Sequence, residues 1–193
     1  MLSIGELEKV FATYWDEMDR CRSARAYWAL LHITVCMPDI CGALESLNGE
    51  ASGQKYIEWF NRYWSDPVLN GDECYRMRCK VLHQARSLTD RPGRYDGIAF
   101  GQPSNDGQIY HKQVSNRILH LDVGEFEKEL RAGIKKWIRD TESQNDTIKS
   151  GNVENNIRDV VKVTQYEVPQ QPTSLSGMIN LNTISVTGSD GKS

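Results

Sequence analysis

The amino-acid sequence predicts a mainly α-helical bundle with a small irregular or β insertion and a polar C-terminal tail. Apolar residues recur at helical spacing through most of the first 87 residues and again over 122–140. Residues 95–121 are rich in Gly, Asn and Asp and hold short strand-like runs. After residue 140 the composition becomes polar. We therefore divide the 193 residues into a helical domain, 1–140, which includes the 95–121 lobe, and a linker and tail, 141–193.

Helices are predicted at 3–22, 23–47 and 52–64, and a later one begins with Asp122 as its N-cap and continues to about residue 140. Pro38 should kink or split the second of these. The third has an aromatic stripe that we assign to the core instead of to base stacking. The side chains predicted to form the core are Phe11, Trp15, Leu31, Leu44, Trp59, Phe60, Leu82, Leu130 and Trp137.

The fourth helix is predicted to begin after Asp72 as its N-cap and to end near Ser87. Its apolar pattern places Tyr75, Cys79 and Leu82 on one side of the helix, which we expect to face the core.

The lobe contains three strand-like runs, which are Ile98–Phe100, Gln108–Tyr110 and Ile118–Leu121. Because turn-forming residues separate them, we expect a small hairpin or an irregular lobe.

The last part of the chain, 141–193, contains one aromatic residue, Tyr166. Its first residues, Thr141–Asn156, are predicted to form a polar linker. Residues 160–168 and 178–186 alternate as strands do, but the tail has too few large apolar groups for a core of its own. It is either disordered or adds strands to a protein partner. A chain ending near Thr141 is expected to fold.

The overall charge excludes a globally basic nucleic-acid binder, because 26 acidic residues outnumber 23 basic ones and the net charge is -3. No apolar run reaches the ~18 residues of a membrane span, and the first residues do not resemble a secretory signal. The chain has an odd number of cysteines, five, so a disulfide framework is not expected. We expect free thiols in a reducing cytoplasm, although the equal spacing of Cys36–Cys41 and Cys74–Cys79 leaves a weak zinc alternative open.

Positive charge is concentrated in one segment, residues 76–94, which contains a single acid, Asp90. Such a concentration in an acidic chain favours contact with an anionic partner, because the planar guanidinium matches phosphate oxygens. The alternative is an ordinary solvated helix face. The six basic residues are Arg76, Arg78, Lys80, Arg86, Arg91 and Arg94.

His83 lies in the middle of this basic segment and is the candidate acid–base group. On a helix Arg76 lies about 20° around the axis from His83, whereas Arg78 is rotated further away. An imidazole and a guanidinium above a phosphate can cleave RNA without a metal ion. We find no residue cluster with metal spacing and no nucleotide-binding loop, so no cofactor is predicted. His32 is expected to pack within its apolar helix, whereas His111 and His120 lie in the lobe, from which either could approach His83.

The run from Arg78 to Gln84, RCKVLHQ, resembles the R-x4-6-H signature of the HEPN superfamily (higher eukaryotes and prokaryotes nucleotide-binding domains). The wider segment from Glu73 to Gln84 is similar to that of bacterial HEPN-like proteins. The resemblance covers about ten residues in motif and about residues 1–140 in helical pattern. It departs from the family at Cys79, where a polar residue is common, and in the lobe.

The resemblance implies a helical bundle that acts as a homodimer, with two motifs meeting at the dimer seam. It implies a metal-independent ribonuclease of a toxin or defence system, with Arg78 and His83 catalytic and Arg76, Lys80 and Arg86 holding RNA phosphates. The alternative is a HEPN-like module that binds nucleotide, RNA or a protein partner without catalysis. A purely structural interaction protein whose tail completes a partner's sheet is a third hypothesis.

Overall fold

The computed structural model describes residues 5–64, 66–84, 93–103, 107–143 and 145–160. These residues belong to one compact unit, Met1–Lys162; a second unit, Val163–Ser193, lies outside the described residues. The helices are α1 (Glu6–Ser23), α2 (Tyr27–Glu45), α3 (Gly53–Tyr63), α4 (Gly71–Gln84), α5 (Val123–Glu142) and α6 (Thr147–Asn156), with a short 3-10 helix at Ile157–Asp159. The predicted fold class, a mainly helical protein with a small β insertion and a polar tail, is confirmed.

Helix α2 is the centre of the bundle, because α1, α3, α4, α5 and α6 all pack against it. It runs through Pro38 as one helix, so the predicted split does not occur. Of the helices in the described ranges, α2 alone is long and apolar enough to cross a membrane, and half of its apolar window is buried inside the protein. A core helix has the same composition, since a helix that is packed on several sides is apolar on several sides.

The predicted core is buried as expected, with the exception of Leu82, which is half-buried. The largest enclosed side chains, Trp59 and Trp137, come from α3 and α5. The ring centroids of Phe11 in α1 and Trp137 in α5 lie 5.6 Å apart, so an aromatic contact joins these two helices.

The helix caps are partly those that the sequence indicates. Asp122 caps α5 by accepting a hydrogen bond from the Glu125 backbone N–H at 2.9 Å, as predicted. The prediction that Asp72 caps α4 is wrong. Asn70 caps that helix, because its Oδ1 accepts from the Glu73 N–H at 2.9 Å and the Glu73 carboxylate accepts from the Asn70 N–H at 3.0 Å.

The insertion forms a three-stranded sheet of β1 (Gly97–Gly101), β2 (Gln113–Ser115) and β3 (Ile118–Asp122), in the order β1-β3-β2. Strand β1 is parallel to β3, and β2 is antiparallel to it. Two of the predicted strand runs are confirmed, in β1 and β3.

The predicted strand at Gln108–Tyr110 is wrong, because β2 lies five residues further on. The two-residue turn at Asn116 and Arg117, with φ angles of 48° and 61°, fixes this hairpin. Positive φ at both central positions is the geometry of a type I′ turn, and it pairs β2 with β3 across the shortest connection.

The helical domain extends beyond the predicted boundary at residue 140. Helix α6 occupies most of the stretch that was predicted to be a polar linker. Its polar side chains donate hydrogen bonds to backbone carbonyls at the C-terminal end of α2. Asn152 donates to the Glu45 carbonyl at 2.9 Å, and Asn156 donates to the Leu44 and Ser46 carbonyls at 3.0 and 2.7 Å. The predicted strands at 160–168 and 178–186 lie outside the described residues, apart from residue 160.

Candidate nucleic-acid interface

Helix α4 is rotated relative to the orientation that its sequence indicates. The buried side chains are Cys74, Met77 and Val81, at positions i, i+3 and i+7. Tyr75 and Leu82, which were predicted to face the core, are only half-buried. The prediction for this face is wrong by about one position, since the helix buries Cys74 and Val81 where Tyr75 and Leu82 were expected.

The close crossing of α3 and α4 depends on Gly71. A Cβ atom at this position would lie 2.5 Å from the Ile57 carbonyl oxygen and 2.9 Å from the Ile57 Cα. The Gly71 N–H donates to Asn61 Oδ1 at 2.7 Å. The first turn of α4 is therefore fixed closely against α3.

Arg78 turns towards α2, where it meets Asp39. Its Nε and Nη2 atoms each lie 2.7 Å from Asp39 Oδ2, and its Nη1 lies 3.9 Å from the Cys79 sulfur. The side chains of Arg78 and Asp39 are 21% and 14% exposed. Burial raises the pKa of the Asp39 carboxyl, and the adjacent Arg78 guanidinium opposes that shift. Most of the hydrogen-bonding capacity of Arg78 is thus used inside the protein.

Asp39 is not among the predicted site residues, although the sequence contains a signal for it. Asp39 is the one acidic or basic residue between Tyr27 and Leu44. A lone charge in an apolar helix requires a partner of opposite charge, because burying it unpaired is costly. That argument finds the acid but not Arg78 as its partner.

His83 is exposed in the last turn of α4. It lies about 20° around the helix from Arg76 but about 140° from Arg78, with roughly 7.5 Å of axial rise between His83 and Arg78. A single chain therefore does not bring the two predicted catalytic residues onto one face.

The remaining predicted phosphate-binding residues have different positions. Arg76 lies one turn after Asp72 and pairs with its carboxylate at 2.6 Å, and Lys80, one turn later, is half-buried. Arg86 and the neighbouring Arg91 lie outside the described residues. Arg94 does not extend the surface of α4. Its Nε donates to the Glu73 carboxylate at 2.9 Å and its Nη2 donates to the Val68 carbonyl at 3.1 Å.

The other histidines have hydrogen-bond partners away from α4. His32 Nδ1 donates to the Trp28 carbonyl at 2.8 Å, one turn back in α2. His120 Nε2 lies 2.8 Å from Ser115 Oγ across the hairpin, and His111 Nδ1 accepts from the Asp122 N–H at 3.2 Å.

No cluster of three or more His, Cys, Asp or Glu side chains arranged to hold a metal ion occurs in the described part of the chain. A cavity of about 330 Å³ lies between α1, α2 and α6, with Tyr14, Ile40 and Asn156 in its lining. Its lining includes no residue of α4.

Comparison with known proteins adds no assignment: no protein-family model, no curated protein and no solved structure matches the chain.

Proposed function

We propose that the protein is an RNA-binding helical module whose contact surface is the outer face of α4. The observation that carries this proposal is the rotation of that helix. It turns Arg78 inward to Asp39 and leaves Arg76, Lys80 and His83 on one side. Side chains three, four and seven positions apart share a helix face, so these three form a continuous strip of cationic and titratable groups.

The charge pattern supports an anionic polymer as the partner. The whole chain has a net charge of -3, so a basic strip is local and orients a polyanion towards one surface. The sequence continues the basic run at Arg86 and Arg91 immediately beyond α4. Phosphate contacts of this kind give affinity without sequence preference and make binding salt-dependent. We place this activity in the cytoplasm, where the five thiols stay reduced.

The test is the salt dependence of binding to single-stranded RNA, measured by fluorescence anisotropy. Each lost phosphate contact reduces the slope of log affinity against log salt by about 0.7 on single strands. The variant Arg76→Ala/Lys80→Ala should reduce this slope by roughly 1.4. A matched control, Lys9→Ala/Lys135→Ala, removes the same charge from exposed positions on α1 and α5 and should leave the slope unchanged. Equal slopes for both variants would refute the proposal.

A second candidate function, metal-independent RNA cleavage by a homodimer, is favoured by the exposure of His83 on the same face as Arg76. A phosphate bound by Arg76 would lie beside an imidazole. In this reaction the ribose 2′-oxygen attacks phosphorus and loses its proton, and the departing 5′-oxygen gains one. The products carry 2′,3′-cyclic phosphate and 5′-hydroxyl ends. His83 supplies or accepts the proton, and the Arg78 of a second chain offsets the developing charge.

Mixing two inactive variants tests this second function. In EDTA, His83→Ala should lower cleavage by ~10²–10⁴-fold through loss of proton transfer, and Arg78→Ala by roughly 10²–10³-fold through loss of charge stabilisation. If each site combines residues of two chains, a mixture of the two variants forms dimers with one intact site and recovers activity. His120→Ala serves as the control for loss of a histidine elsewhere. RNA binding without cleavage by the wild-type chain would leave the first function standing and remove the second.

A toxin or defence role depends on the second function. It predicts growth arrest when the wild-type chain is expressed and normal growth with His83→Ala. Growth arrest that persists with His83→Ala would contradict a role through RNA cleavage.

A further inference from the structure

We propose that His111 is a pH-sensitive latch that holds the segment before β2 against the N-terminus of α5. This site is separate from α4 and does not depend on the proposed RNA-binding function. Nδ1 of the imidazole already accepts a hydrogen bond. Among the described residues, the nearby Glu129 Oε2 is a buried acceptor with no hydrogen-bond partner.

The imidazole of His111 is bonded in its neutral form. The Asp122 backbone N–H donates to His111 Nδ1 at 3.2 Å. An Nδ1 that accepts carries no proton, so the proton of the neutral ring is on Nε2. Protonation would place a second N–H at Nδ1, facing the Asp122 N–H, and two donors cannot bond to each other. The bond between this segment and the start of α5 therefore exists only while His111 is uncharged.

A second position for the charged ring is already present. Glu129 is a residue of α5. Its carboxylate oxygen Oε1 lies 3.4 Å from His111 Nε2. Within the described part of the chain, His111 Nε2 and Glu129 Oε2 are both buried and have no hydrogen-bond partner. A shift of the ring towards Glu129 would give Nε2 an acceptor, and the positive charge of the imidazolium strengthens this contact with the carboxylate. The neutral and charged rings thus favour two different arrangements.

The groups around His111 define the competition. Lys112 Nζ lies 2.5 Å from Asp66 Oδ2 and 2.7 Å from Glu129 Oε1, the same oxygen that His111 approaches. Asp66 is close enough for His111 to lower its pKa, although burial acts in the opposite direction and Lys112 contributes more. Two carboxylates, those of Asp66 and Glu129, and one ammonium, that of Lys112, therefore face His111 near the N-terminus of α5.

The backbone at Lys112 shows that the latch is held under strain. Lys112 has a φ of 58°, a left-handed conformation that is unfavourable for a residue with a Cβ atom. The ion pairs of Lys112 and the hydrogen bond of His111 together keep this turn in place. When His111 is charged, the hydrogen bond is lost and the imidazolium competes with Lys112 for Glu129. His111 then exchanges the Asp122 N–H for Glu129, and the Asp122 amide is left without its acceptor.

The test uses amide hydrogen exchange at Asp122 in the full-length protein, expressed as protection relative to the intrinsic rate at each pH. Between about pH 7.5 and about pH 5, on either side of ordinary histidine titration, protection at Asp122 should fall roughly fivefold to tenfold, as expected for loss of one hydrogen bond. The His111→Asn variant keeps an acceptor oxygen near the Nδ1 position and does not titrate. Its Asp122 protection should be the same at both pH values.

His120→Asn is the matched control, since His120 bonds to Ser115 and not to α5. It should retain the full pH dependence at Asp122. The side-chain nitrogen shifts of wild-type His111 give an independent reading that needs no variant: at the higher pH they should report the proton on Nε2. A wild-type His111 that titrates while Asp122 protection stays constant would overturn the proposal. So would a pH dependence that survives in His111→Asn.

Discussion

The guanidinium of Arg78 is bound by the carboxylate of Asp39, with both Nε and Nη2 of Arg78 lying 2.7 Å from Asp39 Oδ2. This pair joins α4 to the central helix α2. The arginine of the motif thus points to α2, about 140° around α4 from His83. The arginine that the sequence analysis assigned to RNA chemistry therefore has a structural partner in the folded protein.

Removing that partner should destabilise the protein. In Asp39→Ala the largely buried Arg78 loses its carboxylate, and we expect the free energy of unfolding to fall by about 1–2 kcal/mol, less than for a fully buried pair. The smaller value follows because desolvation of Asp39, seen in its raised pKa, offsets part of the gain. Urea unfolding of Asp39→Ala, Arg78→Ala and the double variant measures the coupling. Additive losses would show that the two side chains do not interact.

Two glycine-to-alanine variants should have opposite effects. At Gly71 a Cβ would lie 2.5 Å from the Ile57 carbonyl oxygen, so Gly71→Ala must separate α3 from α4 and should cost about 1–3 kcal/mol. At Gly151, inside α6, a Cβ would meet nothing within 4 Å. Gly151→Ala should stabilise the protein by about 0.5–1 kcal/mol, since alanine is the better helix former. Thermal unfolding of both variants checks the pair, and a destabilising Gly151→Ala would contradict the packing of α6.

The end of the helical domain can be located by truncation. A chain ending at residue 143 lacks α6 and the buried Val153 and Ile157, each of which contributes about 1.5–3 kcal/mol. We expect its melting temperature to lie roughly 10–20 °C below that of a chain ending at residue 160. This differs from the expectation that the sequence gives for a chain ending near Thr141, because the carbonyls at the end of α2 bond to Asn152 and Asn156. Equal melting temperatures would restore the sequence-based boundary.

Stability should depend on pH through Glu73. Burial alone would raise the pKa of Glu73, but hydrogen bonds from Arg94 and the Asn70 N–H hold it below its ordinary value of 4.5. A carboxyl whose folded pKa is lowered stabilises the protein above its unfolded pKa, and this contribution disappears as the pH falls through the folded value. Wild-type protein should therefore be more stable than Glu73→Gln at neutral pH and equal to it in strong acid. Urea midpoints across this range provide the measurement.

Glu17→Gln is the control for that comparison, since Glu17 pairs with Arg20 on the exposed surface of α1. Exposed pairs contribute little, so its difference from wild type should stay small at every pH. A Glu73→Gln difference that does not change with pH would show that the carboxylate charge is irrelevant.

The five cysteines should differ in the rate at which they are alkylated in the native protein. Burial raises the pKa of the Cys74 thiol to about 12 and that of Cys41 well above its ordinary range. Because the thiolate is the reactive form, alkylation of the native protein should spare these two residues and modify Cys21 and Cys79 first. Burial also raises the pKa of Cys36, so it should react more slowly than those two. Mass spectrometry after timed alkylation gives the order, and early modification of Cys74 would refute it.

Much of the fold follows from local patterns in the sequence. The apolar spacing locates α1, α3 and α5 to within a few residues, because each helix has one face that must be buried. Asp122 identifies the start of α5, since an N-cap is a local hydrogen bond. The strands that become β1 and β3 are recognisable for a similar reason. The candidate site is recognisable as a segment, because charge density is a property of sequence.

What the tertiary structure decides is which side chains meet. Helix α4 is rotated so that Cys74, Met77 and Val81 are buried, and its first turn lies close to Ile57, a neighbour in space that no local pattern contains. That rotation brings Arg78 to Asp39, 39 positions earlier in the chain, and leaves His83 outside. The pairing of α6 with the end of α2 is similar: a polar sequence becomes a helix because the open carbonyls of another helix need hydrogen-bond donors. The spacing of apolar residues indicates how much of a helix is buried. Which other element covers the buried face depends on packing between segments that are distant in the sequence.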